Sequence, residues 1–154
     1  MPTYEFSGTA GRLSVGQREE IVRSVTAIHH EETGAPAYFV QVIFYDLAPA
    51  THYIAGQAAS PGQIWVRAEM RAGRTAEQKA RIITSILEDV SHISGSSKED
   101  IWVCVSDIPA LSVAEYGRLL PPPGGEDEWF AALPESLKQR LNSDSDAVTA
   151  SLGR

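Results

Sequence analysis

Apolar residues recur at helical spacing in two stretches of the chain. The first holds Ile21, Val22, Val25 and Ile28; the second holds Ile82, Ile83, Ile86, Leu87, Val90 and Ile93. Each stretch opens on a hydroxyl residue followed three positions later by glutamine: Ser14 with Gln17, and Thr75 with Gln78. That spacing lets side chain and backbone satisfy each other's orphan donors at a helix start. Each stretch ends at a glycine, Gly34 or Gly95, where a helix stops readily in the left-handed conformation. Strand-like runs follow at 39–44 and 100–105, and Asp46 and Asp107 mark their exits. From Ser14 onward all these features repeat at an offset of 61 residues without a gap. A strand opens each copy, at about 2–7 and about 63–70. The pattern predicts two fused β-α-β units, about 2–47 and about 63–108. A crossover helix makes the two strands of a unit parallel. The expected fold class is α+β, a four-stranded sheet with two helices on one face.

The strands carry a second message. Val40, Val42 and Phe44 point one way, and Phe39 and Ile43 the other. Ile101, Val103 and Val105 are likewise backed by Trp102 and Cys104. Strands apolar on both faces need both faces covered, and two helices cover one. A homo-oligomer is therefore expected. The repeat stops after Asp107. A C-terminal segment, 109–141, contains the breaker run Pro121-Pro122-Pro123-Gly124-Gly125, then Trp129 and Phe130, and a short helix with Leu137 and Leu141 on one face. Residues 1–141 read as a single domain. The Ser-, Asp- and Ala-rich stretch 142–154 reads as a flexible tail.

Composition narrows the function classes. The 154 residues include 13 Lys plus Arg against 20 Asp plus Glu, a net charge of −7. Nucleic-acid binding needs an excess of cations, so no nucleic-acid partner is expected. A local basic pocket in an acidic shell would instead favour a small anionic ligand. Cys104 is the single cysteine, which rules out an intrachain disulfide and a cysteine-based zinc site. No apolar run approaches the roughly 18 residues of a spanning helix, and the first residues lack signal-peptide character. The expectation is a cytoplasmic protein with no membrane partner.

Several residues can carry chemistry. Pro2 follows the initiator Met, and removal of Met1 would leave a secondary amine as the terminus. α-Amino groups titrate near neutrality, and burial lowers the pKa of a cation, so such an amine can act as acid or base at pH 7. Arg71 and Arg74 flank Gly73 just before the Thr75 capping box. Two readings stand: a carboxylate or phosphate site at a helix N-terminus, or two solvated loop arginines. His29 extends the apolar face of the first helix, which fits a hydrogen-bonded packing residue as well as a site residue; His30 points elsewhere. Glu115-Tyr116-Gly117-Arg118 reads as a surface turn, and Cys104 as a buried strand residue without a base partner. No metal site is expected.

Taken together these residues resemble the tautomerase superfamily, and most closely its cis-3-chloroacrylic acid dehalogenase family. The resemblance is carried by Met1-Pro2-Thr3-Tyr4, His29-His30, Gln41-Val42-Ile43-Phe44, Arg71 with Arg74, and Ile101-Trp102-Val103. Glu115-Tyr116-Gly117-Arg118-Leu119-Leu120 and Glu128-Trp129-Phe130 extend it to about residue 133. It implies a homotrimer with the amino-terminal proline in the pocket and no cofactor. It further implies that Pro2 is the acid/base, that Arg71 and Arg74 hold a small carboxylate substrate with help from His29, and that Glu115 activates water. Cys104 stands where the dehalogenase has a tyrosine that assists the glutamate. The activity implied is a cofactor-independent tautomerase with weak hydratase or dehalogenase activity. A non-catalytic ligand-binding module and a cofactorless oxygenase or decarboxylase remain as alternatives.

Overall fold

A computed structural model describes residues 2–152, with side chains described through Ser145. In chain order the elements are β1 (Pro2–Thr9), α1 (Val15–Thr33), β2 (Gln41–Leu47), β3 (Tyr53–Ile54) and β4 (Gln57–Ala58). Then follow β5 (Ile64–Arg71), α2 (Ala76–Ser94), β6 (Ile101–Ile108), β7 (Ala114–Glu115), β8 (Arg118–Leu119), α3 (Glu126–Ala131) and α4 (Glu135–Leu152). Both capping boxes form, with Ser14 accepting from the Gln17 N–H and Thr75 from the Gln78 N–H, each at 3.2 Å. A capping hydroxyl of this kind contributes about 1 kcal/mol. Each capping glutamine also reaches across: Gln17 Nε2 donates to the Ile93 carbonyl and Gln78 Nε2 to the Glu32 carbonyl. Each helix start thus satisfies an orphan carbonyl at the other helix's end.

The main sheet runs β2-β1-β5-β6. β1 is parallel to β2 and β5 parallel to β6, as the crossover helices require, and the two units join through the antiparallel β1–β5 pair. Short 3-10 turns, Ala37–Phe39 and Lys98–Asp100, take up residues that the strand-like runs suggested, so β2 and β6 begin at Gln41 and Ile101. Both helices lie on one face of the sheet. Tyr4, Phe6, Ile64, Val66, Ala68 and Met70 from the central strands pack there against Ile21, Val25, Ile82, Ile86 and Val90.

The other face is less apolar than the run composition implied. β2 and β6 place Ile43, Tyr45, Trp102 and Cys104 there, but the central strands add Thr3, Glu5, Ser7, Arg67 and Glu69 beside Trp65. The central strands alternate cleanly, and only the edge strands are apolar on both sides. Trp102 and Tyr45 are 47% and 46% exposed, so a large aromatic surface faces outward.

The C-terminal segment forms a second cluster of Phe39, Leu120, Trp129, Leu133 and Leu141. α4 continues through the stretch from Asn142 to Leu152; residues 153 and 154 lie outside the described residues. Neither glycine nor proline interrupts 135–152, so a helix anchored by Leu141 has no stop signal there. Among the described residues no helix is long and apolar enough to cross a membrane.

Candidate active site

The antiparallel junction of the two units brings distant residues to one end of the sheet. Pro2, the first residue of β1, is buried and pairs with Met70, so it lies beside Arg71 at the end of β5. Arg74 follows three residues later, directly before the α2 cap. His29, on the last turns of α1, is fully buried against Tyr4 of β1: Tyr4 Oη and His29 Nδ1 are 2.8 Å apart and the rings meet edge to face.

The electrostatics follow from burial. Desolvation pushes the His29 imidazole down to about 3, and the positive charge of Arg74 adds to the effect, so the ring is neutral at pH 7. Desolvation likewise holds the Tyr4 phenol protonated, pushing its pKa well above the ordinary value against the opposing pull of Arg74. Burial lowers the Arg74 pKa, and neighbouring Arg71 lowers it further. Two guanidinium groups side by side in a desolvated setting call for an anion.

Arg71 already has one anionic partner. Its guanidinium pairs with Glu126 of α3 and donates to the Pro121 carbonyl at 2.9 Å. Burial would raise the Glu126 carboxyl, but the Arg71 hydrogen bond, backbone hydrogen bonds and the Arg71 charge together outweigh it and the net shift is downward. The Pro121–Gly125 strap thereby lies against the arginine loop. Gly73 has φ +115°, and a Cβ there would come within 2.9 Å of Pro123, so close approach as well as backbone conformation demands glycine. Neither contact was foreseen, because the partners lie 50 and 55 residues apart in the chain.

Glu115 is held by the tight turn of a short hairpin. β7 and β8 pair Glu115 with Arg118 across Tyr116 and Gly117, both at positive φ, the conformation of a two-residue hairpin turn. The Tyr116 hydroxyl donates to the Tyr38 carbonyl at 2.7 Å and ties the hairpin down. Desolvation raises the Glu115 carboxyl, opposed by the positive charges of the amino terminus and Arg71. A cleft of about 500 Å³ opens beside it, walled by Thr3, Tyr38, Gln41 and Tyr116. On the other side Arg71 and Arg74 line a cleft of about 420 Å³ with Gln78 and Asp127, and a cavity of about 20 Å³ closed by Phe39 and Leu120. Pro2 and His29 line none of these openings.

Pro2 lies beside Arg71 by strand register, the charge of Arg74 reaches His29 and that of Arg71 reaches Glu115, but none of these clefts is lined by all five residues. Cys104 lies apart from them, opposite Arg67 on the uncovered sheet face, four positions before Ile108, the residue opposite Arg71. No three His, Cys, Asp or Glu side chains among the described residues come together in a way that could hold a metal ion.

Two fused β-α-β units with paired cations at one sheet end define a small α+β protein. Residues 1–132 match the family model described as "Putative oxalocrotonate tautomerase enzyme". The chain is similar to the crystal structure of N1, a member of the cis-3-chloroacrylic acid dehalogenase family, at 40% identity and a TM-score of 0.88 over 92% of this chain and 99% of that one. The native Ps01740 structure is 36% identical, with a TM-score of 0.70 over 73% and 99% of the two chains. A fused 4-OT asymmetric trimer shares the fold at 22% identity and a TM-score of 0.70, over 76% and 94%. None of the curated proteins matches the chain significantly. The chain belongs to the tautomerase superfamily, within the cis-3-chloroacrylic acid dehalogenase family. That membership makes it one of a family of enzymes.

Proposed function

We propose that the protein is a cofactor-independent tautomerase acting on small 2-oxo or unsaturated carboxylic acids, with weak hydratase or dehalogenase activity on 3-haloacrylates or acetylenic acids. One observation carries this reading. Among the described residues, the buried side-chain polar atoms without a hydrogen-bond partner include His29 Nε2 and Arg74 Nε, which belong to interacting neighbours. Buried polar groups are normally satisfied. Two unmet groups in one cationic cluster, beside the strand that starts at Pro2, are the groups an anionic substrate would pair.

In this reading Arg71 and Arg74 hold the carboxylate and spread the negative charge that develops on the substrate. Pro2 carries the proton. Ketonisation of an enol moves one proton from the enol oxygen to the neighbouring carbon, and the amine accepts and returns it. In hydration, Glu115 takes a proton from water as the oxygen adds to C3, and Pro2 delivers a proton to C2. A halohydrin formed in this way then loses hydrogen halide. Burial raises the Glu115 carboxyl toward the range in which a carboxylate is a useful base.

The arginines supply the test. Arg71→Ala and Arg74→Ala should each raise KM for phenylpyruvate enol by the equivalent of about 1.5–3 kcal/mol, the loss expected for a charged hydrogen bond. Steady-state kinetics that leave KM unchanged in both variants would sink the carboxylate-binding role.

The assembly belongs to the same proposal. The uncovered aromatic face, the open edges of β2 and β6 and the likeness to a trimeric fused 4-OT support a homotrimer. Light scattering should give three times the 16.7 kDa chain mass at micromolar concentration. A single-chain mass would refute it.

A further inference from the structure

We propose that Tyr4 is a positioning residue for His29: its hydroxyl donates to Nδ1 and so fixes the imidazole as the Nε2–H tautomer, a neutral donor for a substrate oxygen. The role of the donor rests on the function proposed above; the tautomer does not.

The geometry leaves two ways to place the protons. Tyr4 and His29 are both 0% exposed, and 2.8 Å separates Oη from Nδ1. If the imidazole donated from Nδ1, the phenol hydrogen would need a second acceptor in the core. The Nε2 lone pair would also be left bare, and it has no partner. Two buried polar groups would then go unsatisfied, which buried groups rarely do. If the phenol donates to Nδ1, the phenol hydrogen is satisfied and only Nε2–H remains. The first arrangement offers a carboxylate a lone pair, which repels it. The second offers a hydrogen. The neighbouring charge of Arg74 favours keeping the ring neutral, so donation from Nε2 adds no further cation to the cluster.

The fold does not need this polar pair for packing, and the internal repeat shows why. Tyr4 is opposite Val42 across the β1–β2 ladder, and Val66 is opposite Val103 across the β5–β6 ladder. Val42 and Val103 are repeat equivalents, as are His29 and Val90. The counterpart of Tyr4 against His29 is thus Val66 against Val90, at 0% and 1% exposure. The second unit fills the same place with two valines. A buried phenol and imidazole in the first unit, on the strand that begins at Pro2, have a use other than filling space.

Nitrogen-15 NMR of the histidine-labelled protein, without substrate, reads the tautomer directly. The expected spectrum of the wild type at pH 7 shows a pyridine-type Nδ1 and a pyrrole-type Nε2 for His29, assigned by its loss in His29→Gln. In Tyr4→Phe, which keeps the ring and removes the hydroxyl, that preference should weaken. A pyrrole-type Nδ1 in the wild type, or an unaltered His29 spectrum in Tyr4→Phe, overturns the proposal. Kinetics read the donor role. Tyr4→Phe should raise KM for phenylpyruvate enol about three- to tenfold, the worth of one neutral hydrogen bond, with kcat changed less. His29→Gln, whose amide can reach toward the Nε2 position, should retain more of the affinity than His29→Asn. Equal losses in both variants, or an unchanged KM in Tyr4→Phe, overturn the donor role. If wild type turns over no enol, the proposed function fails while the NMR result still decides the tautomer.

Discussion

Pro2→Ala should lower kcat for phenylpyruvate enol ketonisation by about 10²-fold, within the range for loss of a positioned acid/base, while KM moves little. Alanine, like proline, is small enough for the initiator Met to be removed, so the variant still ends in an amine. What changes is its nature: a flexible primary amine replaces a secondary one fixed in a ring. Pro2 is buried beside Arg71, so the β1–β5 pairing fixes where that nitrogen sits. Met1 lies outside the described residues, and its fate is checked first by the intact mass of the chain. A mass that includes Met1 would turn the terminal amine into an ordinary amide nitrogen at Pro2 and favour a binding module. A processed chain whose Pro2→Ala variant ketonises at the wild-type rate would remove Pro2 from the chemistry.

The parts of this protein that were legible in the sequence are those written locally. The caps at Ser14 and Thr75, the stops at Gly34 and Gly95 and the helical stripes each lie within a few turns, and all took the expected form. What the repeat could not announce is which strands meet. The central β1–β5 pair is antiparallel and joins residues 56 to 68 positions apart, and it alone sets Pro2 beside Arg71. Tyr4 was invisible for a different reason: a tyrosine on the buried face of a strand reads as core until its hydroxyl is seen at His29. Glu126 hid in an acidic run, and only the folded strap carries it to Arg71. Glu115 passed for a surface turn because its partial burial depends on the Tyr116 bond to Tyr38.

The repeat also explains why each chain carries one such cluster rather than two. Strand registers and the helix offset match Pro2 with Ile64, His29 with Val90, Arg71 with Thr9 and Arg74 with Leu13. Ile64, Val90 and Leu13 are buried and apolar. The second unit keeps the architecture and has no charge or titratable group at these positions. In the proposed site its contribution is the two arginines, set near the first unit's proline and histidine.

Cys104→Tyr should raise 3-haloacrylate dehalogenation relative to enol ketonisation by up to the order of 10²–10³, the usual worth of one oriented donor at a developing charge. Ketonisation needs a proton shuttle; hydration also needs a water held in line with the double bond. A thiol is shorter than a phenol and a weak donor, so Cys104 is a poor substitute for the tyrosine that the family resemblance implies at this position. Position within the fold sharpens the expectation. Cys104 sits on the uncovered sheet face, about four residues, or roughly 13 Å, along β6 from the arginine end. It shares that face with Trp102 and cannot share its own chain's cluster. If the tyrosine acts on water chemistry from that face, it does so across a subunit contact, and the gain should vanish in any variant that dissociates the oligomer. The phenol enters a face that is partly buried even in the single chain, and overpacking there costs about 1–3 kcal/mol. Melting temperature and light scattering therefore accompany the rates. A folded, oligomeric Cys104→Tyr protein with an unchanged ratio of dehalogenation to ketonisation would show that the missing tyrosine is not what limits the water chemistry.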